Sequence, residues 1–208
     1  MERADSGMRE FLEELAAAAA TPGGGAAAAV AGSLAAALVG MIGRLTLKRE
    51  QGNPELEGIT QQADRLREEL LELAERDAEA FQGVLAAYRL PKSDEDERAE
   101  RRQAIQEALK AATEIPFRTA SACASVLELA QRAVNYGLRS AVSDAATAAC
   151  LAEAALHSAV LNVETNLKSI EDEKYRHLYH IKCTDLAKQA RVRVEAILAV
   201  VEEWIRPE

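Results

Sequence analysis

Asp77 is an acid where the surrounding pattern asks for an apolar residue. Leu66, Leu70 and Leu73, followed by Phe81, Val84 and Tyr88, mark the apolar stripe of one helix. Asp77 falls four residues after Leu73 and four before Phe81, so the 3.6-residue period turns its carboxylate toward the packed side rather than toward water. A carboxylate there either finds partners or holds its proton to higher pH than usual, and such an acid can take and return a proton near neutrality. Two readings fit: a general acid/base, or a structural aspartate paired with an arginine across the fold. Glu75 and Glu79 lie on other faces and read as solvated.

A second set of polar groups interrupts the alanine-rich stretch RSAVSDAATAACLAEAALHSAVLNVETNL, Arg139 to Leu167. Asn162 and Asn166 are one turn apart and can present two amides together, able to donate and accept toward a flat heterocycle. The other reading is a pair of interior amides bonded to a neighbouring helix. Asp144 shares a face with Asn162 but stands roughly 27 Å away at about 1.5 Å per residue, so the two do not grip the same small group. It reads as a partner for Arg139 or as an acceptor for a ligand's N–H groups. A third feature is the joint Thr21-Pro22-Gly23-Gly24-Gly25, set between two alanine runs. Three successive glycines suit either positive φ angles or bare N–H groups at a helix N-terminus, where the dipole favours a polar or anionic guest. His177 and His180, with Glu173 a turn earlier, have metal-like spacing, but HxxH on a charged amphipathic helix without a further ligand reads as a solvated face. No metal is expected. His157 reads as a helix-surface residue. The GxSxG, P-loop, HExxH and Rossmann signatures are absent, which sets aside the common nucleophilic, phosphoryl-transfer and hydride chemistries.

The elements that must position these residues are all helical. Ala, Leu, Glu and Arg dominate, β-branched runs are few, and no NG or DG hairpin turn occurs. The punctuation predicts six helices: Ser6 to Ala19; the joint to Lys48; Pro54 to Arg89, capped by Asn53; a fourth after Ser93-Asp94-Glu95-Asp96, kinked or divided at Pro116 and ended by Asn135-Tyr136-Gly137; Leu138 to Ser169; and Glu171 to Trp204. Long helices with short joints make antiparallel neighbours, hence an all-α bundle. In the second helix Ala28, Gly32, Ala36 and Gly40 recur every four residues and offer a nearly bare face for close packing.

The 208 residues suit one domain, taken as 1–208, with a core large enough to need no staples. A formal net charge of −9 argues against nucleic-acid or anionic-membrane partners, so an anionic ligand must meet a local group of Lys or Arg. Cys123, Cys150 and Cys183 are odd in number and widely spaced, and read as reduced core thiols in a cytoplasmic protein. The opening Met1-Glu-Arg-Ala-Asp-Ser-Gly has no export pattern. Gly23 to Gly43 is long enough to span a membrane, but it is mostly Ala and Gly, and no matching second span is expected.

Three stretches together resemble the cyclodeaminase/cyclohydrolase family, which comprises the cyclodeaminase half of formiminotransferase-cyclodeaminase and the stand-alone methenyltetrahydrofolate cyclohydrolases. They are FLEELAAAAATPGGGAAAAVAGSLAAAL, RDAEAFQGVLAAYRLPK and the alanine-rich stretch above, in the family's order and spacing. The resemblance implies a dimeric helical bundle with folate in a cleft near the subunit contact, and no cofactor beyond the tetrahydrofolate substrate. It assigns catalysis to the aspartate of DAEAF, Asp77, with Phe81 of the same motif among the substrate contacts. It also places Pro22, Gly23, Gly24 and Gly25 beside the substrate, and Asp144, Asn162 and Asn166 at the polar positions of the long helix. Arg89, Lys92 and Arg139 are then candidates to receive the anionic benzoyl-glutamate tail, surface salt bridges being the other reading of each. The family commonly has PGGGS where this chain has Ala26 in place of the serine. The expected activity is formiminotetrahydrofolate cyclodeamination, with methenyltetrahydrofolate cyclohydrolysis or a catalytically silent folate-binding bundle as alternatives.

Overall fold

A computed structural model describes residues 4–206, with side chains from residue 7 onward. The first three residues of the stretch Met1 to Gly7, read as free of an export pattern, and the last two residues of the expected domain lie outside it. The described residues form six helices, α1 (Ala4–Ala16), α2 (Gly24–Leu47), α3 (Pro54–Tyr88), α4 (Glu95–Tyr136), α5 (Val142–Leu167) and α6 (Glu173–Ile205), with a 3-10 turn at Arg139–Ala141. No strand occurs among the described residues.

The caps explain the boundaries. Asn53 accepts from the backbone N–H groups of Glu55 (3.1 Å) and Leu56 (3.4 Å), and Pro54 opens α3 where no intrahelical donor is needed. Asp94 accepts from Glu97 N at 2.8 Å, and Glu97 in turn accepts from Ser93 N at 2.7 Å. Helices α2, α3, α4 and α5 form an antiparallel four-helix bundle in which each packs on the next and α5 closes on α2. Helix α6 lies against α4 and α5. The bare face of α2 lets it sit close to its neighbours: a Cβ at Gly32 would come within 2.6 Å of Cys123 Sγ on α4 and 3.3 Å of Leu70 on α3.

Pro116 does not divide α4, which runs unbroken for 42 residues. Its missing N–H leaves the Ala112 carbonyl without its helical donor, and Asn166 Nδ2 on α5 supplies one at 3.0 Å. Asn166 therefore has the inter-helix role. Asn166→Ala is expected to lower unfolding stability by about 1–3 kcal/mol, read from urea denaturation, because the carbonyl is stranded.

Three expectations need correction. Cys123 and Cys183 are buried, but Cys150 is exposed. The apolar stripe of α3 buries Leu70, Leu73 and Val84, whereas Phe81 and Tyr88 are exposed, because α2 does not extend far enough to cover them. The segment Arg139–Leu167 is also long and apolar enough to cross a membrane, as Gly24–Leu47 is. Both helices are bundle members here: alanine raises mean hydropathy while serving close packing.

Candidate functional site

Asp77 and the glycine joint meet. Helices α2 and α3 run antiparallel with Leu70 opposite Gly32, and the same register brings Asp77 to the first turn of α2. Asp77 Oδ2 accepts from Ala26 N at 3.1 Å. Gly23, the N-cap residue, has no side chain to cap the helix, so the aspartate of the neighbouring helix satisfies this orphan donor instead. A Cβ on Gly25 would fall 2.5 Å from Asp77 Cγ, which no real contact allows. None of the three glycines of the joint has a positive φ. At Gly25 the reason for glycine is close approach, not a left-handed turn.

Asp77 makes no ion pair with an arginine among the described residues, which removes the structural-pair reading. Burial pushes its carboxyl above the usual range, and the Ala26 N–H, which favours the charged form, partly offsets this. The two oxygens are thus unequal: one is held by a backbone donor, and the other has no hydrogen-bond partner among the described residues.

Asn162 completes the constellation from α5. A Cβ on Gly24 would lie 3.7 Å from Asn162 Nδ2, an ordinary contact, so the amide of α5 flanks the glycine turn. Its Nδ2 donates to Ser158 O at 2.8 Å, which leaves its oxygen available as an acceptor. Phe81 stands one turn beyond Asp77 with 38% of its surface exposed. Asn166, one turn from Asn162, is engaged with Ala112 as described.

Beside this turn lies a cleft of about 760 Å³ between α1 and the α2–α3 pair, lined by Met8, Phe11, Pro22, Ala26, Ala74 and Ala78 among others. Its walls are chiefly apolar. Ala26, where the family commonly has serine, contributes methyl rather than hydroxyl to that wall.

The remaining candidates are not assembled with these. Arg139 and Asp144 lie at the opposite end of the bundle, where Leu138 N donates to Thr46 Oγ1 near the C-terminus of α2. Arg139 sets its guanidinium over the Trp204 ring, 5.1 Å from the centroid, and does not pair with Asp144. Neither can meet a small ligand held at Asp77, since most of the length of α2 intervenes. Arg89 and Lys92 are exposed at the α3–α4 turn, at the same end as the site. His180 Nδ1 lies 2.8 Å from Glu164 Oε1 and His157 is exposed. Among the described residues no group of three or more His, Cys, Asp or Glu could hold a metal ion.

The formiminotransferase-cyclodeaminase family profile matches residues 7–185, which include every residue of this constellation. The chain belongs to that family. Among its relatives, a methenyltetrahydrofolate cyclohydrolase of Methylorubrum extorquens is 40% identical over 168 residues, covering 79% of this chain and 81% of the relative. The formimidoyltransferase-cyclodeaminase of Mus musculus is 31% identical over 201 residues, 95% of this chain but 37% of that longer protein. The crystal structure of formiminotetrahydrofolate cyclodeaminase from Thermotoga maritima superposes with a TM-score of 0.85 at 30% identity, covering 96% of this chain and 97% of that one.

One contact at the same end of the bundle escapes the sequence reading: Arg101 sets its guanidinium 5.7 Å from the centre of the Tyr88 ring. Tyr88 reads as core by its spacing, and Arg101 carries no motif. The signal that could have found them is helix length: an α3 much longer than α2 must leave the end of its inner stripe uncovered.

Proposed function

We propose that this chain moves protons at the one-carbon bridge of tetrahydrofolate, and that its reaction is hydrolysis of the 5,10-methenyl ring to formyltetrahydrofolate. The observation that carries this reading is the Asp77 carboxyl, raised by burial and held by Ala26 N–H through one oxygen only. Its second oxygen takes a proton from water as the water oxygen bonds to the methenyl carbon. The tetrahedral adduct then breaks one carbon–nitrogen bond. The departing nitrogen receives the proton back from Asp77, and the adduct's hydroxyl loses its own proton to solvent to leave the formyl carbonyl. The Methylorubrum extorquens relative, matched over most of both chains, supports hydrolysis over the alternative.

A second reading, cyclodeamination of formiminotetrahydrofolate with release of ammonia, is supported by the nearly full-length match to the Thermotoga maritima structure. The same carboxyl would take the proton of the attacking amine and return one to the ammonia. Absorbance of the methenyl chromophore separates the two: added methenyl substrate decays faster than its spontaneous rate in a cyclohydrolase, and the chromophore grows from formimino substrate in a cyclodeaminase. A chain that binds folate and does neither is a silent bundle, and overturns both readings.

The substrate is the only small molecule this chemistry requires, and we place the reaction in the cytoplasm. We also propose a homodimer. The outward face of α2 carries Ala27, Ala31, Leu34, Ala37 and Met41 without a charge before Arg44, and Leu34 is 46% exposed. Leu34→Glu is expected to convert dimers into monomers in sedimentation equilibrium; monomeric wild-type protein would refute the pairing.

A further inference from the structure

Helix α3 outlasts α2. The two helices meet at the turn after Leu47, but α3 has 35 residues and α2 has 24, so α3 continues for roughly 16 Å past the level of Gly25. The stripe of α3 that packs against α2 continues onto this extension. Leu70 meets Gly32, Asp77 meets Gly25, and the next residues on the line are Phe81 and Tyr88. Tyr88 stands three turns beyond Asp77 and about 20° round the helix. Among the described residues one side of this line is left half open: Phe81 is 38% and Tyr88 46% exposed, while Val84, about 20° round the other way from Asp77, and Ala87 are buried against α4 and α5 in a second core with Leu109, Val163 and Tyr179. Helix α1 does not cover that side, because its cleft lies over the flank of α3 that carries Leu71, Ala74 and Ala78.

The far end of the line is cationic. Arg101 holds its guanidinium 5.7 Å from the centre of the Tyr88 ring and donates to Tyr88 O from Nε (3.3 Å) and Nη2 (3.0 Å), which fixes its place. Arg89 and Lys92 make no ion pair among the described residues. Elsewhere on α4, Arg102, Lys110 and Arg118 are taken up by Glu171, Asp172 and Glu69. Three cations at the end of an aromatic line, in a protein of net charge −9, match an arm that is flat and apolar near its start and doubly anionic at its tip.

We propose that this half-open line of α3 seats the benzoyl-glutamate arm of the folate: its one-carbon bridge at Asp77, its aryl ring along Phe81 and Tyr88, and its carboxylates at Arg89, Lys92 and Arg101. The assignment rests on the folate reading above and adds the direction in which the substrate lies. It also selects Arg89 and Lys92 over Arg139, which sits at the wrong end.

The test compares full-length wild type with the Arg89→Ala/Lys92→Ala double variant and with Tyr88→Ala, their folding checked by circular dichroism. Each is assayed with methenyltetrahydrofolate and with the same molecule lacking glutamate, methenyltetrahydropteroate. The wild type is expected to prefer the glutamate-bearing substrate in kcat/KM, and the double variant to lose at least about tenfold of that preference, as the removal of charge-assisted contacts predicts. Tyr88→Ala is expected to raise KM for both substrates, since the aryl ring is common to them. Calorimetric titration with folic acid and pteroic acid reads the arm independently of catalysis, so a chain that turns over neither substrate fails the reaction assigned above without deciding the arm. Equal affinities of the wild type for the two acids, or a folic-acid preference unchanged in the double variant, would overturn the proposal. So would a dimer that Tyr88→Glu dissociates, because the line would then belong to a second copy.

Discussion

Asp77→Asn is expected to lower kcat by about 10²- to 10⁴-fold, the range contributed by a positioned general acid/base, while the fold stays intact. The carboxamide is isosteric and its oxygen can still accept from Ala26 N, so the cap on α2 survives. Only the proton traffic is lost. The wild-type pH profile should carry the same signature. The base form of Asp77 is the carboxylate, so the rate falls as pH drops through its folded pKa, which burial places above the ordinary 3.8. The acid limb should therefore sit above that value in wild type and disappear from the residual rate of the variant. The stability consequence has the opposite sense. A carboxyl with a raised folded pKa contributes stability that is present below its unfolded pKa and lost as pH rises through the folded one, because the ionised form is penalised by burial. At neutral pH Asp77→Asn should accordingly be at least as stable as wild type in urea denaturation. Turnover unchanged by the substitution would remove Asp77 from the chemistry.

The second large effect is expected from a single methyl group. Gly25→Ala places a Cβ 2.5 Å from Asp77 Cγ and forces the carboxylate to leave its seat against the first turn of α2. Displacing a reacting group by about 1 Å costs on the order of 10²-fold in rate, and here the hydrogen bond from Ala26 N is lost as well. A drop in kcat/KM of at least that size is expected, with no comparable loss of helicity, since alanine favours the helix over glycine. The control is Gly58→Ala on α3, where a new Cβ meets only Gln62 Nε2 at 3.9 Å and the rate should hold. Wild-type activity in Gly25→Ala would show that the close approach of Asp77 to α2 has no part in the reaction.

These two residues illustrate how much of the site could be read from the sequence. Asp77 is legible because a charged residue in an apolar stripe breaks a period that the chain itself displays. The glycine joint is legible as an anomaly, since three glycines exceed what a turn needs. Its reason is not, because the atom that excludes a side chain at Gly25 belongs to a residue 52 positions away. Asn162 and Asn166 look equivalent by spacing. They part company only because Pro116, on another helix, strips the Ala112 carbonyl of its donor and claims one amide of the pair. Arg139 and Asp144 lie apart from Asp77 and the glycine joint for a reason the spacing already contained: the rise per residue along α5 carries them to the far end of the bundle.

The sequence by itself determined that the chain is helical, where most helices begin and end, which face of α2 is bare, and that an acid sits on the inner line of α3. These are local properties, set by period, capping and backbone propensity, and each can be read within a few turns of helix. Only the tertiary structure decided what that acid touches, which of two amides is tied to another helix, and where the inner line of α3 loses part of its cover. Those depend on the register between helices and on the difference in their lengths, quantities that arise when separate stretches of chain pack together and that no single stretch contains.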